Sequence, residues 1–167
     1  MTTQAGRRYG VCAILFAVGL TAGCRPLRST QGLFAKPELT GYERFAVIGL
    51  DPEQEQIFMA AYIKTFADQS VTFVERGRLM EIVGEQDLLQ GRINDKTRAR
   101  IQQILGVQAL VLCEYYDGDR PTAKKLRVRI VDAETGAIVG SVINQSRGRF
   151  ADQCRSALRS LKSDLEG

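Results

Sequence analysis

The N-terminal segment constrains this chain most strongly, because it decides which residues are left to fold. Arg7 and Arg8 precede an apolar run of ten residues, 11–20, and this run is followed by small residues and Cys24. A helix that crosses a membrane needs about 20 apolar residues, so this run is too short to span one. A basic start, a short apolar stretch and a small-residue ending are typical of a cleaved signal peptide. We therefore expect residues 1–23 to be removed, which leaves 144 of the 167 residues to fold.

The last five residues of this segment, 20–24 (LTAGC), resemble the signal of bacterial lipoproteins. The resemblance implies that Cys24 becomes the first residue and carries fatty acyl chains such as palmitate. Several acyl chains anchor a protein firmly, because each buried methylene contributes about 0.8 kcal/mol. Arg25 replaces the aspartate that keeps enterobacterial lipoproteins at the inner membrane, so the resemblance implies the periplasmic leaflet of the outer membrane.

The mature chain carries little of the usual chemistry of an active site. It contains no histidine, so Ser/His and Cys/His nucleophile pairs and mixed Cys/His metal sites are excluded. Cys113 and Cys154 remain once the signal peptide is removed and Cys24 is acylated. Their separation does not fit a metal site. The periplasm permits a disulfide between them, but both lie on apolar faces, where free buried cysteine is common, so we favour two free thiols.

Carboxylates near the ends of predicted strands are the remaining catalytic candidates, because ligands bind at strand ends in open α/β sheets. They are Asp51, Glu75, Asp117, Asp119 and Asp132. A hydrolase that uses two carboxylates is conceivable. Because no spacing singles out a pair, we interpret them as caps, turn residues and ion pairs. We predict no catalytic residue, no metal and no cofactor.

Hydrophobic periodicity predicts one α/β (α+β) domain with a mixed sheet packed against helices. The expected strands cover 45–50, 71–74, 109–116, 126–131 and 137–143, and the expected helices cover 52–68, 77–89, 95–105 and 150–165. We expect Ile101, Ile104 and Leu105 to face inward. Residues 24–42 mix proline, glycine and charge without a period, so we expect the lipidated cysteine and a flexible tether there and the domain over 43–167.

Four residues are predicted to set the ends of these elements. Asp51 precedes a proline and favours a helix N-cap, and either Asn94 or Asp95 is placed to cap the helix that follows it. Gly106 follows an apolar helix and is placed to end it in the left-handed conformation. Gly136 lies between two predicted strands, where a positive φ favours a hairpin.

The strongest candidate for a binding surface is a cationic strand. Lys125, Arg127 and Arg129 recur at every second position, so their side chains emerge on one face, opposite an apolar face. Residues 120–162 carry ten basic and only three acidic side chains, whereas residues 25–119 carry 11 basic and 14 acidic ones. Other arginines of this region, Arg147, Arg149, Arg155 and Arg159, would strengthen the positive potential if the fold brought them together. An anionic lipid, polysaccharide or protein would bind such a face, and a plain solvated face is the alternative.

Arg76 is a second candidate. It directly follows a predicted strand and a glutamate. Arginine prefers bidentate anionic partners, so Arg76 either binds an anion or forms a structural ion pair.

Several segments together resemble the curli-secretion lipoprotein (CsgG-like) family. They are residues 74–79 (VERGRL), 82–86 (IVGEQ), 105–111 (LGVQALV) and 129–136 (RIVDAETG). Penicillin-binding-protein activator lipoproteins and the N-terminal domain of TolB share the general fold. The family's channels carry two membrane-crossing hairpins, and here those places hold only residues 117–123 and 144–149. A strand that crosses a bilayer needs about nine to eleven residues, so we expect no pore.

The resemblance implies a lipid-anchored, non-catalytic binding module. We expect an accessory to the secretion or assembly of an envelope component, either a protein fibre or an exopolysaccharide, which could form a homo-oligomeric ring. The expected partners are the membrane, an envelope protein or an anionic polysaccharide or lipid, and not a nucleic acid. A penicillin-binding-protein activator is the alternative, although relatives with that role use a long linker to reach the cell wall. A small carboxylate hydrolase is a distant third hypothesis.

Overall fold

The computed structural model describes residues 29–119 and 122–167, which form a mixed sheet with helices on both faces. The strands are β1 (Ser29–Ala35), β2 (Arg44–Ile48), β3 (Thr72–Phe73), β4 (Ala109–Asp117), β5 (Lys124–Asp132) and β6 (Ile138–Ser146). The helices are α1 (Pro52–Thr65), α2 (Arg76–Met80), α3 (Glu85–Gln90), α4 (Asp95–Leu105) and α5 (Phe150–Glu166), and a 3₁₀ turn covers Pro37–Gly41. This architecture confirms the predicted α/β class. The signal peptide and Cys24 lie outside the described residues.

The six strands are ordered β1-β6-β5-β4-β2-β3. β2 pairs in parallel with both β3 and β4, and α1 and the α2–α4 segment make the crossovers that parallel pairs require. β4, β5, β6 and β1 pair antiparallel. β1 and β3 are therefore the two edges of the sheet.

Each face of the sheet has its own hydrophobic core. Helices α1 and α5 cover one face, where the apolar side of β5 meets the stripe of α5 formed by Cys154, Ala157, Leu158 and Leu161. These four side chains are fully buried. Helices α2 to α4 cover the other face, but their core contains residues of β2 and β4 and the end of β5, and none of β6 or β1. Among the described residues, no helix therefore covers the half of the second face that β6 and β1 form.

The predicted capping residues are confirmed. Asp51 accepts a hydrogen bond from the Gln54 amide at 2.8 Å, and Asn94 accepts one from the Thr97 amide at 2.9 Å. Gly106 ends α4 with φ +63°, and Gly136 turns the β5–β6 hairpin with φ +76°. Both glycines adopt a conformation that side chains with a Cβ disfavour.

The expected flexible tether over 24–42 is wrong for the part that the structure describes. Ser29–Ala35 is a strand that pairs with β6, and Leu39 in the following turn is completely buried. Six of the seven residues of β1 are exposed, so its sequence carries no alternation of apolar and polar residues. Backbone pairing with a distant strand holds it, and this cannot be recognised from local periodicity. The folded unit therefore begins before residue 43.

Two smaller expectations also fail. The helix expected over 77–89 is divided into α2 and α3, because Gly84 adopts an extended conformation at the start of α3. An inward position was expected for Ile104, but its side chain is 57% exposed, because only Ile101 and Leu105 of this group are buried between α4 and the sheet.

Cys113 and Cys154 are both buried and free, so they do not form a disulfide. Within the described part of the chain, no helix is long and apolar enough to cross a membrane.

Candidate functional site

The uncovered half of the second face is the surface best placed to meet a partner. Residues that face each other across paired strands point to the same side of a sheet. Register therefore assembles one surface, which we call the open sheet face, from Glu114 and Tyr116 of β4, Lys125, Arg127 and Arg129 of β5, Ser141 and Ile143 of β6, and Phe34 of β1. The alternation of β5 explains its cations, because Leu126, Val128 and Ile130 are fully buried on the opposite face.

Glu114 partly neutralises this surface. Its two carboxylate oxygens each accept a hydrogen bond at 3.1 Å, one from Nη1 of Arg127 and the other from Nη2 of Arg129. All three side chains are slightly more than a third exposed. Two arginines that share one carboxylate retain one positive charge between them. Nε of Arg129 is buried, so only the guanidinium N–H groups that reach solvent can bind an anion.

Sequence reasoning missed Glu114 because it lies outside the basic segment. The signal that would have found it is the hairpin register, which pairs Glu114 directly with Arg127.

The two lysines at the start of β5, Lys124 and Lys125, also have acidic partners. Nζ of Lys125 lies 2.7 Å from Asp119, and the Lys125 side chain is only 16% exposed. Nζ of Lys124 lies 2.6 Å from Asp117, and this hydrogen bond raises the pKa of Lys124. Lys125 is therefore placed on the predicted face but is less available than the two arginines.

An aromatic ring lies beside the Arg127 guanidinium group, and two apolar side chains are exposed on the β1 edge of the sheet. The Arg127 guanidinium carbon is 5.8 Å from the centre of the Tyr116 ring, within the range of a cation–π contact. Leu33 and Phe34 on the β1 edge are 37% and 38% exposed. Arginine and aromatic groups are enriched at the centres of protein interfaces, so the open sheet face has the composition of a binding surface.

Arg76 does not belong to the open sheet face. Its Nη1 lies 2.7 Å from a carboxylate oxygen of Glu55 and 3.1 Å from the Leu50 carbonyl oxygen, between α1 and α2. The exposed fractions of the two side chains are 14% and 4%. Burial raises the pKa of Glu55, and the charge and hydrogen bond of Arg76 oppose that rise. The geometry is that of a structural ion pair.

The ion pair of Arg76 borders a groove between α1 and β3, with a volume of about 490 Å³. Met59, Ile63, Val71 and Phe73 contribute to its lining.

The fold also separates the arginines that sequence reasoning grouped with the cationic strand. Arg155 and Arg159 belong to α5, which packs on the apolar side of β5, so they lie across the sheet from Arg127 and Arg129. They line a cleft between α1 and α5 together with Lys64 and Lys162. The fold therefore does not bring Arg155 and Arg159 together with the cations of β5.

The carboxylates considered for catalysis mostly have structural partners. Asp51 caps α1, and Asp117 and Asp119 form the ion pairs described above. Asp132 accepts hydrogen bonds from Tyr42 at 2.8 Å and from Thr135 at 2.6 Å. Burial acts to raise the pKa of Asp132, but these hydrogen bonds outweigh it and lower that pKa. Among the described residues there is no group of three or more Cys, Asp or Glu that could hold a metal.

One family model and several solved structures are similar to parts of this chain. The family model of the curli production assembly/transport component CsgG matches residues 66–118. This match confirms the resemblance over that segment, which runs from the end of α1 through β4. No curated protein sequence matches the chain.

Solved structures share the fold at low sequence identity. The PelC dodecamer from Paraburkholderia phytofirmans superimposes with a TM-score of 0.50 and 12% identity, over 84% of this chain and 99% of that one. The LpoB C-terminal domain from Salmonella enterica gives a TM-score of 0.50 and 15% identity, over 71% of this chain and 87% of that one. TolB from Acinetobacter baumannii gives a TM-score of 0.48 and 8% identity, over 84% of this chain and 31% of that one. The described domain thus has the fold of PelC and of the LpoB C-terminal domain.

Proposed function

We propose that this chain is a lipid-anchored, non-catalytic module that assembles into a homo-oligomeric ring at the periplasmic leaflet of the outer membrane. There it serves the secretion or assembly of an envelope component. The observation that carries the proposal is the match of residues 66–118 to an assembly/transport component, within a domain that has the fold of a chain known as a dodecamer. Cys24 is the proposed site of acylation.

The β1 edge supports self-assembly. This seven-residue strand contains no charged residue and exposes Leu33 and Phe34. Natural proteins usually protect sheet edges with charge, proline or a covering element, because an open edge pairs with other strands. A neighbouring copy would cover this edge.

The proposed role is an accessory to export and not the pore. β4 and β5 are joined by residues 118–123, and β6 and α5 by residues 147–149. Each strand of a membrane-crossing hairpin needs about nine to eleven residues, so neither connection is long enough to add one. The open sheet face is left to bind the partner, an envelope protein or an anionic polysaccharide.

The similarity to the LpoB C-terminal domain favours a second candidate, an activator of a penicillin-binding protein. Only four residues, 25–28, separate Cys24 from β1. This short connection does not resemble the long linker that the family resemblance associates with activators, so we rank this function second.

Deletion of the gene separates the two functions. An export accessory should be required for the surface accumulation of one envelope polymer, with cell-wall cross-linking unchanged. A fall in cross-linking with normal export would instead establish the activator. Native mass spectrometry of the detergent-extracted, acylated protein tests the ring: we expect one closed oligomer, and a monomer at micromolar concentration would refute self-assembly.

A further inference from the structure

The folding of β1 changes how far the domain can lie from its anchor. A tether that ran to residue 42 would let the domain move freely above the membrane, but the chain is already paired into the sheet at Ser29. Five residue steps separate Cys24 from Ser29, which span at most about 18 Å when fully extended. The end of the sheet that contains Ser29 therefore stays next to the lipid surface.

Strand register identifies that end of the domain. Ser29 pairs with Gln145 of β6, and Gln145 pairs in turn with Lys125 of β5. The same end holds the start of β5, the β4–β5 turn and the connection from β6 to α5. The β5–β6 turn, which includes Ala137, lies at the opposite end of the sheet. A strand rises about 3.3 Å per residue, so β1 alone places its own far end about 20 Å further away.

The end next to Ser29 carries an excess of positive charge. Lys124 and Lys125 are neutralised by Asp117 and Asp119. Arg147 is exposed and has no carboxylate within 4 Å among the described residues.

Arg149 adds to this excess. Its side chain is 88% exposed, and its Nε lies 3.6 Å from Asp152, a carboxylate that Arg155 also engages. Arg25 and Arg28 in the connecting sequence contribute two more charges.

We propose that this end of the domain lies on the membrane, with Arg147 and Arg149 bound to the phosphate groups of anionic phospholipids. The inference rests on the acylation of Cys24 in the proposed function, which brings the domain to the lipid. Guanidinium groups bind phosphate oxygens through paired N–H donors. The acyl chains anchor the protein, and the arginines fix the orientation of the domain. The strands then run perpendicular to the membrane, so the open sheet face stays accessible to a partner.

Proximity to lipid is tested on the acylated protein in vesicles of phosphatidylcholine and phosphatidylglycerol with nitroxide-labelled headgroups. A fluorophore is attached at Thr122→Cys, at the membrane-facing end, or at Ala137→Cys, at the far end. Both positions are exposed and uncharged, and the native Cys113 and Cys154 are buried. We expect several-fold stronger quenching at position 122. Equal quenching at both positions would overturn the orientation.

The role of charge is tested with the double variant Arg147→Gln/Arg149→Gln, labelled at position 122. Each basic group near an anionic membrane favours the bound orientation about fivefold, so the variant should lose most of the difference in quenching. High salt should have the same effect on the unmodified arginines. The matched control Lys96→Gln/Arg100→Gln removes two exposed charges from α4 and should behave as the wild type. An unchanged quenching pattern in the Arg147/Arg149 variant would refute lipid binding by these residues.

These outcomes are separable from failure of the proposed function. If acylation fails, the protein does not stay with vesicles at all. If export or ring formation fails while the quenching pattern holds, the orientation stands and the function is wrong.

Discussion

The ion pair between Arg76 and Glu55 allows the sharpest test of whether a candidate binding residue is structural. We predict that Arg76→Gln strongly destabilises the domain, because it leaves the Glu55 carboxylate, only 4% exposed, without its cation. Removing one partner of a buried pair costs about 3 to 5 kcal/mol. For a domain of this size, that loss corresponds to a fall in melting temperature of roughly 10 to 17 °C.

The loss should depend on pH. Burial already raises the pKa of Glu55 in the wild type, and the loss of the Arg76 charge raises it further. A carboxyl group whose folded pKa exceeds its unfolded pKa holds its proton longer in the folded state, so the free energy of unfolding falls as pH rises through the interval between the two values. Arg76→Gln should therefore be closer to wild type near pH 5 than near pH 8.

Urea denaturation at these two pH values measures the free energy of unfolding of the wild type and of Arg76→Gln. Two control variants test whether the loss comes from the buried ion pair. Arg78→Gln breaks an ion pair with Glu81 in which both side chains are 59% exposed, and it should cost less than about 1 kcal/mol. The double variant Glu55→Leu/Arg76→Met replaces the buried pair with apolar groups and should recover most of the stability. A single variant Arg76→Gln that is as stable as the wild type would refute the structural assignment and restore Arg76 as a binding candidate.

Four further predictions follow from other parts of the chain. Cys24→Ser should abolish palmitate incorporation and membrane retention, and labelling that persists in the variant would contradict acylation at this residue. Cys154→Asp should lower stability by several kcal/mol, because it places a charge at a completely buried position of α5; an unchanged melting temperature would contradict that placement. Joint replacement of Lys125, Arg127 and Arg129 by glutamine should cost little stability, because Arg127, Arg129 and Glu114 are each more than a third exposed and the Asp119 partner of the less exposed Lys125 lies in solvent, but weaken partner binding at low salt; equal losses of stability and binding would mark them as structural. Purified protein in planar bilayers should give no unitary currents, and stable currents would show that it forms a pore.

The parts of the fold that could be predicted are those in which the local sequence pattern matches the side of the element that is buried. Strand β5 alternates and is buried on one side only, and helix α5 carries an unbroken apolar stripe. Asp51 and Asn94 supply side-chain caps whose partners lie three residues away, so a short window contains the whole signal. Such elements are specified by residues close together in the sequence.

The parts that the sequence did not predict depend on distant partners. Strand β1 lies more than a hundred residues from β6, the strand it pairs with, and its own residues are almost all exposed. Ile104 fits the same helical spacing as Ile101, but it stays exposed because the surface of α4 that packs on the sheet does not extend to it. Glu114 is identified as a site residue only from the strand register, which pairs it with Arg127.

The register also changes how the charge of this protein should be interpreted. Counted along the sequence, residues 120–162 are strongly basic, but pairing with β4 brings acids from outside that segment to its cations. Glu114 meets two arginines of β5, and Asp117 and Asp119 meet the two lysines at its start. Between the start of β5 and the start of α5, the cations without a carboxylate from β4 or its turn are Arg147 and Arg149, in the connection to α5. Strand pairing thus reduces the positive potential of the open sheet face and leaves two exposed arginines at the end beside β1, the end that acylation of Cys24 would bring to the membrane.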